Sequence, residues 1–270
     1  MIKTSRAQLV ELFTALGLCK GETVMIHSAL FSLGLIEGDV NGFYEELRHV
    51  IGEEGTLIVP TFTYSFRRNE LFDQKNTPSA KNIGLFSEFI RTHSDAVRSA
   101  DPLFSMAAIG PEAPGLMERD SQFCFGDGSV YHKLFEKNIR FLAIGITYSS
   151  GLTGFMHLEK LAQVPYREDL PLSGITRNIV GDEYYDTAIH FTRLENVYGA
   201  TITDREAMGL LLEQEGASTS LAYGYGRHLS LSGHHWRDVV LSELAKNPLI
   251  MLDHSQYTDK QDKEKSEFEE

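Results

Sequence analysis

The segment Gly151-Leu-Thr-Gly-Phe-Met-His-Leu-Glu-Lys-Leu-Ala-Gln-Val-Pro-Tyr-Arg167 sets a hydroxyl, an imidazole and a carboxylate close together. These groups, Thr153, His157 and Glu159, stand at the opening of a short apolar-periodic stretch. A helix there must close before Pro165, because the residue ahead of a proline avoids the α region. Histidine titrates nearest neutral pH, and a carboxylate beside it can hold its tautomer and raise its basicity. The chemistry on offer is general-base catalysis. Taken alone, the same spacing equally describes a helix with one buried histidine and a solvated glutamate.

Four further segments carry small polar groups where strands run into loops: His27-Ser-Ala-Leu30, Pro60-Thr-Phe-Thr-Tyr64, Leu103-Phe-Ser-Met106 and Phe125-Gly-Asp-Gly-Ser129. Hydroxyls and glycines at such exits present backbone N–H groups to phosphate or amide oxygens. Each is a turn signal by itself; together they can line a groove for a long, phosphate-bearing ligand. The serine elbow, the P-loop, the dinucleotide glycine turn and the zinc-binding H-E-x-x-H helix are all missing. His234-His235 has no second spaced partner, so no metal is expected. Cys124, between Phe123 and Phe125, reads as core rather than as a thiol nucleophile.

The elements that must position these groups follow from periodicity. Ser5-Arg-Ala-Gln8 reads as a capping box opening a helix with Leu9, Leu12, Phe13 and Leu16 on one face until Gly17. Glu22–His27 and Gly55–Phe62 read as strands, with a helix through Val40, Phe43, Leu47 and Ile51 between them. A helix over Gly84–His93, strands at Phe104–Ile109 and Arg140–Gly145, and a short helix at Val130–Lys137 continue the alternation. Helices alternating with short apolar strands predict an α/β sheet covered by helices. Beyond Arg167 the pattern loosens, with β structure around Gly181–Thr192, a helix over Asp204–Gln214, a turn and strand at Tyr223–Leu229 and a helix over Ser232–Lys246. The expectation is one domain over residues 1–252, irregular over about 165–230, with a disordered polar tail at 253–270.

Hydrophobic residues make up 42% of the 270 and aromatics 10%, enough for a full core. The net charge is −13; the tail Asp253–Glu270 holds seven acidic and three basic residues, so it carries −4 and leaves −9 on the body. That sign disfavours nucleic acid and suits a cationic small molecule. Two cysteines supply neither a disulfide framework nor a metal cage, and no apolar run is long enough to span a bilayer. A cytoplasmic protein without a membrane partner is expected, as monomer or dimer.

The order of the motifs is more specific than any one of them. His27-Ser-x-Leu30, Gly55-Thr-Leu-x-x-Pro-Thr-Phe62, Phe72-Asp…Thr77-Pro-Ser79…Gly84 and Arg98-Ser-x-x-Pro102…Ser105…Gly110-Pro111 come first. Phe125-Gly-x-Gly-Ser129, the Thr153/Glu159/Val164-Pro165 segment and Gly226-Arg…Asn247-Pro-Leu249 follow. From about Ser5 to Leu252 this succession resembles the aminoglycoside 3-N-acetyltransferase (antibiotic N-acetyltransferase) family. The resemblance implies an α/β fold with a central mixed sheet flanked by helices, distinct from the GNAT acetyltransferases. It implies acetyl-CoA as donor and an amino sugar as acceptor.

It further implies a direct transfer in which His157 removes the amine proton, Glu159 orients the imidazole or binds the ammonium, and Thr153 or a backbone N–H meets the oxyanion. His27, Ser28, Leu30, Thr61, Thr63, Ser105, Gly126 and Ser129 would hold CoA. Glu168, Asp169, Asp204 and Glu206 are candidates for the acceptor's ammonium groups, against the alternative of solvated surface charge. There is one departure: where the family pattern has a histidine three residues after the threonine, this chain has Met156, and His157 comes one place later. The acceptor is an aminoglycoside-type amine, a nucleotide- or lipid-linked amino sugar of surface polysaccharide synthesis, or, if the chain is an inactive CoA-binding relative, none.

Overall fold

A computed structural model describes residues 2–68, 70–194 and 203–253, with Ser65 described in its backbone only. The tail expected to be disordered lies, apart from Asp253, outside the described residues. Strand β1 (Lys3–Thr4) leads into helix α1 (Arg6–Ala15), whose capping box forms as read, with Ser5 and Gln8 bonding each other's backbone N–H. Then come β2 (Thr23–Ser28), β3 (Leu35–Ile36), α2 (Asp39–Ile51), β4 (Thr56–Pro60), β5 (Phe72–Asp73) and α3 (Leu85–Arg91). The middle of the chain forms β6 (Val97–Arg98), β7 (Met106–Ile109), α4 (Ala113–Met117), α5 (Val130–Glu136), β8 (Arg140–Ile144) and α6 (Gly154–Leu161). The hairpin β9 (Arg167–Arg177) and β10 (Glu183–Arg193) precedes α7 (Glu206–Gln214), β11 (Ser218–Tyr223), β12 (Gly226–Ser232) and α8 (Gly233–Lys246).

The main sheet has seven strands in the order β11-β12-β8-β2-β4-β7-β6. Its centre, β8-β2-β4, is parallel, and the pairs on either side are antiparallel. The three central strands carry the continuous apolar runs Val24–Ile26, Leu57–Val59 and Phe141–Ile144, all with no exposed surface. Strands buried on both faces need apolar residues in both registers, hence runs instead of alternation. One face packs against α1, α2 and α3 through Leu9, Phe13, Phe43, Leu47 and Phe86. The other packs against α5, α6 and α8, where Trp236 meets Phe141 edge-on at 5.1 Å. Gly154 opens α6 because a Cβ there would stand 2.5 Å from the Trp236 ring. The carboxyl ends of β2 and β4 and the loop after β8 meet at one edge, the place where open α/β sheets form ligand crevices.

The region read as irregular contains regular structure. Strands β9 and β10 pair over eleven residues each, from Arg167↔Arg193 to Arg177↔Glu183, and β5 joins them as a third strand. Pro171 and Gly174 disguise β9. Pro171 stands opposite Ile189, whose own N–H and C=O bond Gln122 and Cys124, and β5 pairs at Thr176 and Arg177 alone, so its missing N–H costs no ladder bond. Gly174 leaves room for Phe66, whose ring would be 2.7 Å from an added Cβ. Among the described residues, no helix is long and apolar enough to cross a membrane.

Candidate active site

A cleft of about 490 Å³ opens at the carboxyl ends of the parallel strands. Its walls are largely apolar, with Leu30, Phe31, Pro60, Phe62, Ile83 and Leu85 among them, and its polar lining includes His27, Ser28, Tyr64 and Thr153. Phe31 and Leu85 are 80% and 68% exposed, unusual for side chains of this size and suited to flanking a partly apolar ligand.

Three elements converge on Thr153. It stands at the N-cap position of α6 with no capping bond from its side chain, which leaves the hydroxyl to partners from other elements. His27, from the end of β2, places Nε2 3.0 Å from Thr153 Oγ1, and Tyr131 of α5 brings its hydroxyl into a short hydrogen bond with the same oxygen. His27 Nδ1 is buried and has no hydrogen-bond partner. Burial lowers the His27 pKa to about 4, so the ring is neutral at pH 7. Burial likewise raises that of Tyr131, which keeps its proton.

His157 is elsewhere. It is 1% exposed and is stacked on Phe135 with ring centroids 5.0 Å apart; its Nδ1 accepts the Gly126 N–H at 3.1 Å. The neutral ring therefore carries its proton on Nε2. Burial first, with the nearby His132 and Arg237 adding to it, lowers its pKa to about 3. Glu159 does not touch it. Residues two apart on a helix are turned by about 200°, so a His-x-Glu pair cannot share a face. The carboxylate is wholly buried and accepts from the Tyr166 hydroxyl at 2.9 Å and from Arg205 Nη2 at 3.0 Å, with Arg167 Nε also 3.0 Å away. The expected His157–Glu159 pair is thus replaced by an anchor that ties α6 to the start of β9 and the residue before α7. Met156, half-buried, follows Thr153 by three residues and shares its side of the helix.

The residues proposed for CoA divide into three groups. His27, Ser28 and Leu30 line the cleft, and Thr63 lines an adjoining depression that shares Tyr64 and includes Arg68 and Lys81. Thr61 and Ser105 face the interior: both are fully buried, bond each other at 3.1 Å and accept from Arg98 Nε. Arg98 also reaches the carbonyls of Thr61, Gln74 and Thr77, so this cluster braces the cleft wall from behind. Gly126 donates its N–H to His157, and Ser129 caps α5, the helix that carries Tyr131, through the His132 N–H.

The four acidic candidates are not gathered in one place. Asp169 is bound by Lys160 Nζ at 2.7 Å through Oδ1. Asp204 and Glu206 hold Ser149, in the loop between β8 and Thr153, through its Oγ and N–H. Glu168 is exposed on β9. Cys124 is core, as expected, with its thiol 3.7 Å from Asp101. Among the described residues no group of three His, Cys, Asp or Glu side chains could hold a metal ion. Tyr131, Tyr166, Arg167 and Arg205 went unassigned in the sequence, since their partners lie between 7 and 46 residues away along the chain.

Fold and cleft define a mixed α/β protein with a largely apolar cleft at the carboxyl ends of its parallel strands. Residues 25–237 match the Aminoglycoside 3-N-acetyltransferase family, and the chain belongs to that family. It is 27% identical over 257 residues to aminoglycoside N(3)-acetyltransferase IV of Salmonella sp, covering 92% of this chain and 90% of the relative. Two solved structures share the fold. One is AAC-IIIb in a binary complex with CoASH, with TM-score 0.78 and 20% identity, covering 90% of this chain and 97% of that one. The other is aminoglycoside acetyltransferase AAC(3)-IVa, a histidine-to-alanine mutant in complex with a gentamicin, with TM-score 0.78 and 21% identity, covering 94% of this chain and 93% of that one.

Proposed function

We propose that the protein is an acetyl-CoA-dependent N-acetyltransferase acting on an amine of an amino sugar, with an aminoglycoside-type acceptor as the first reading. The observation that carries this is the cleft itself: mostly apolar, with Thr153 in its lining and His27 Nε2 3.0 Å from the Thr153 hydroxyl. An apolar cleft suits the pantetheine arm of CoA. The adjoining depression contains Lys81 and Arg68, the latter paired with Glu70, as the cations nearest to hand for its phosphates. The reaction is a direct displacement. A neutral amine attacks the acetyl carbonyl, the N–C bond forms, the C–S bond breaks and CoA leaves as the thiol. The backbone N–H groups at the start of α6 are candidate donors to the oxyanion.

The state of the acidic residues favours a second reading of the acceptor. Asp169 is neutralised by Lys160, and Asp204 and Glu206 are occupied with Ser149. An acceptor with a single amine, such as a nucleotide-linked amino sugar, places fewer demands on such a surface than a polycation does. Binding of the donor tests the first premise. At acetyl-CoA a hundredfold above its dissociation constant, the folded state gains about 2.7 kcal/mol. The melting temperature should therefore rise by roughly 5–10 °C. No rise at millimolar acetyl-CoA, with calorimetry equally silent, removes the acetyltransferase reading.

A further inference from the structure

We propose that Thr153 and His27 form a proton relay that serves the transfer, with Thr153 touching the reacting amine and His27 receiving the proton through it. This rests on the acetyl-transfer reading above. The relay's geometry is the three-way contact at Thr153 Oγ1: His27 Nε2 stands 3.0 Å away and the Tyr131 hydroxyl bonds the same oxygen, so with the phenol donating, the Thr153 proton is directed at His27. His27 is 5% exposed at the cleft wall, and its Nδ1 has no partner. A histidine kept only for packing at that depth normally has its polar atoms satisfied. His157 has its Nδ1 committed to Gly126 and does not line the cleft, so the relay is the imidazole route that reaches it.

The proton count closes without an added reactant. Attack of the neutral amine on the thioester carbon gives a tetrahedral species with a positive nitrogen. That nitrogen, once bonded to the carbonyl carbon, is far more acidic than an ordinary ammonium and passes a proton to Thr153 Oγ1 as the Thr153 proton moves to His27 Nε2. Collapse breaks the C–S bond. The thiolate, with an ordinary pKa near ~8.5, retrieves the proton from a buried imidazolium that is a much stronger acid. Burial alone depresses the His27 pKa; burial is also the largest cause raising that of Tyr131 of α5, on which Tyr64 of the loop after β4 and Asp101 act as well.

The test compares His27→Gln, Thr153→Val and Thr153→Ser, reading thiol release and the melting shift produced by acetyl-CoA. His27→Gln and Thr153→Val should each lower kcat by about 10²-fold or more, a larger factor than any change in KM for acetyl-CoA, with the melting shift by acetyl-CoA still present. The double variant should lose no more than either single one, because the two groups act as a unit. Thr153→Ser, which restores a hydroxyl, should recover at least about tenfold over Thr153→Val. In the unaltered protein, kcat at saturating acceptor should show no rise through pH 6–7 of the kind an ordinary imidazole gives, since His27 is deprotonated above about pH 4. If the unaltered protein releases thiol and His27→Gln matches it within about threefold, the relay is wrong and the acetyl-transfer reading stands. If the unaltered protein releases none, both fall. Should His27→Gln not fold, equal rates for Thr153→Val and Thr153→Ser overturn the relay.

Discussion

Glu159→Ala melts about 6–20 °C below the unaltered protein, the largest loss of stability expected from any single substitution near the cleft. The carboxylate is buried between Arg167 and Arg205, both less than a tenth exposed, and takes a third contact from the Tyr166 hydroxyl. Removing one member of a buried ion cluster leaves the other charges uncompensated and costs about 3–5 kcal/mol. In a domain of this size each kcal/mol is worth roughly 2–4 °C. Arg205→Leu should cost less, because Arg167 and Tyr166 still satisfy the carboxylate. Thermal unfolding of the two variants decides this. A fall below about 2 °C for Glu159→Ala would mean that the cluster does not anchor α6. The functional consequence follows from position: α6 carries Thr153, so loosening the anchor also blurs the geometry of the cleft.

Acidification from pH 7 to pH 5 removes several kcal/mol of stability. His27, His157 and His190 are buried and neutral, with pKa values lowered to about 4, 3 and 3. Burial is the main cause in each case, and for His190 the guanidinium groups of Arg67 and Arg167 add to it. An unfolded histidine titrates near 6.5, so below that pH the unfolded chain binds protons that the folded one refuses. The stability these groups contribute is therefore fully present above about pH 6.5 and falls as the pH drops towards the folded values. Each contributes up to about 1.4 kcal/mol per pH unit, and the three together about 4 kcal/mol per unit near pH 5. Urea midpoints at pH 7, 6 and 5 should fall steeply, and His157→Gln should remove roughly one third of the slope. A midpoint that does not change between pH 7 and 5 would show that the three rings are not held neutral.

The sequence made much of this molecule legible and left specific parts closed. Helices α1, α2, α5 and α8 and the central strands follow from apolar spacing, capping and short buried runs, because those signals are local. The first segment singled out places the Thr153 hydroxyl in the cleft lining, but its imidazole faces the core. Whether a helical residue points into a cleft or into packing depends on what the helix rests against, and here that is Phe135, Tyr131 and Trp236 from α5 and α8. The partner of Thr153 is His27, 126 positions away, and a partner of Glu159 is Arg205, 46 positions away; no local pattern announces either. Thr61 and Ser105 look like groove residues by type and placement, yet Arg98 turns them into a brace. The hairpin was hidden by Pro171 and Gly174, each of which reads as a break until the bonds of Ile189 opposite Pro171 and the ring of Phe66 are known.

Thiol release from acetyl-CoA in the presence of an amine panel tests the central claim most directly. The panel should contain a polyamino aminoglycoside, a nucleotide-linked amino sugar and a simple amine, with the melting shift by acetyl-CoA measured alongside. Acceptor-dependent release with at least one amino sugar, well above the hydrolysis background, is the predicted result, and the preferred compound separates the two acceptor readings. A clear melting shift by acetyl-CoA with no acceptor-dependent release across the panel would contradict the account: it would mean that the cleft binds the donor and that Met156, in place of the family's histidine, marks a chain without transferase activity.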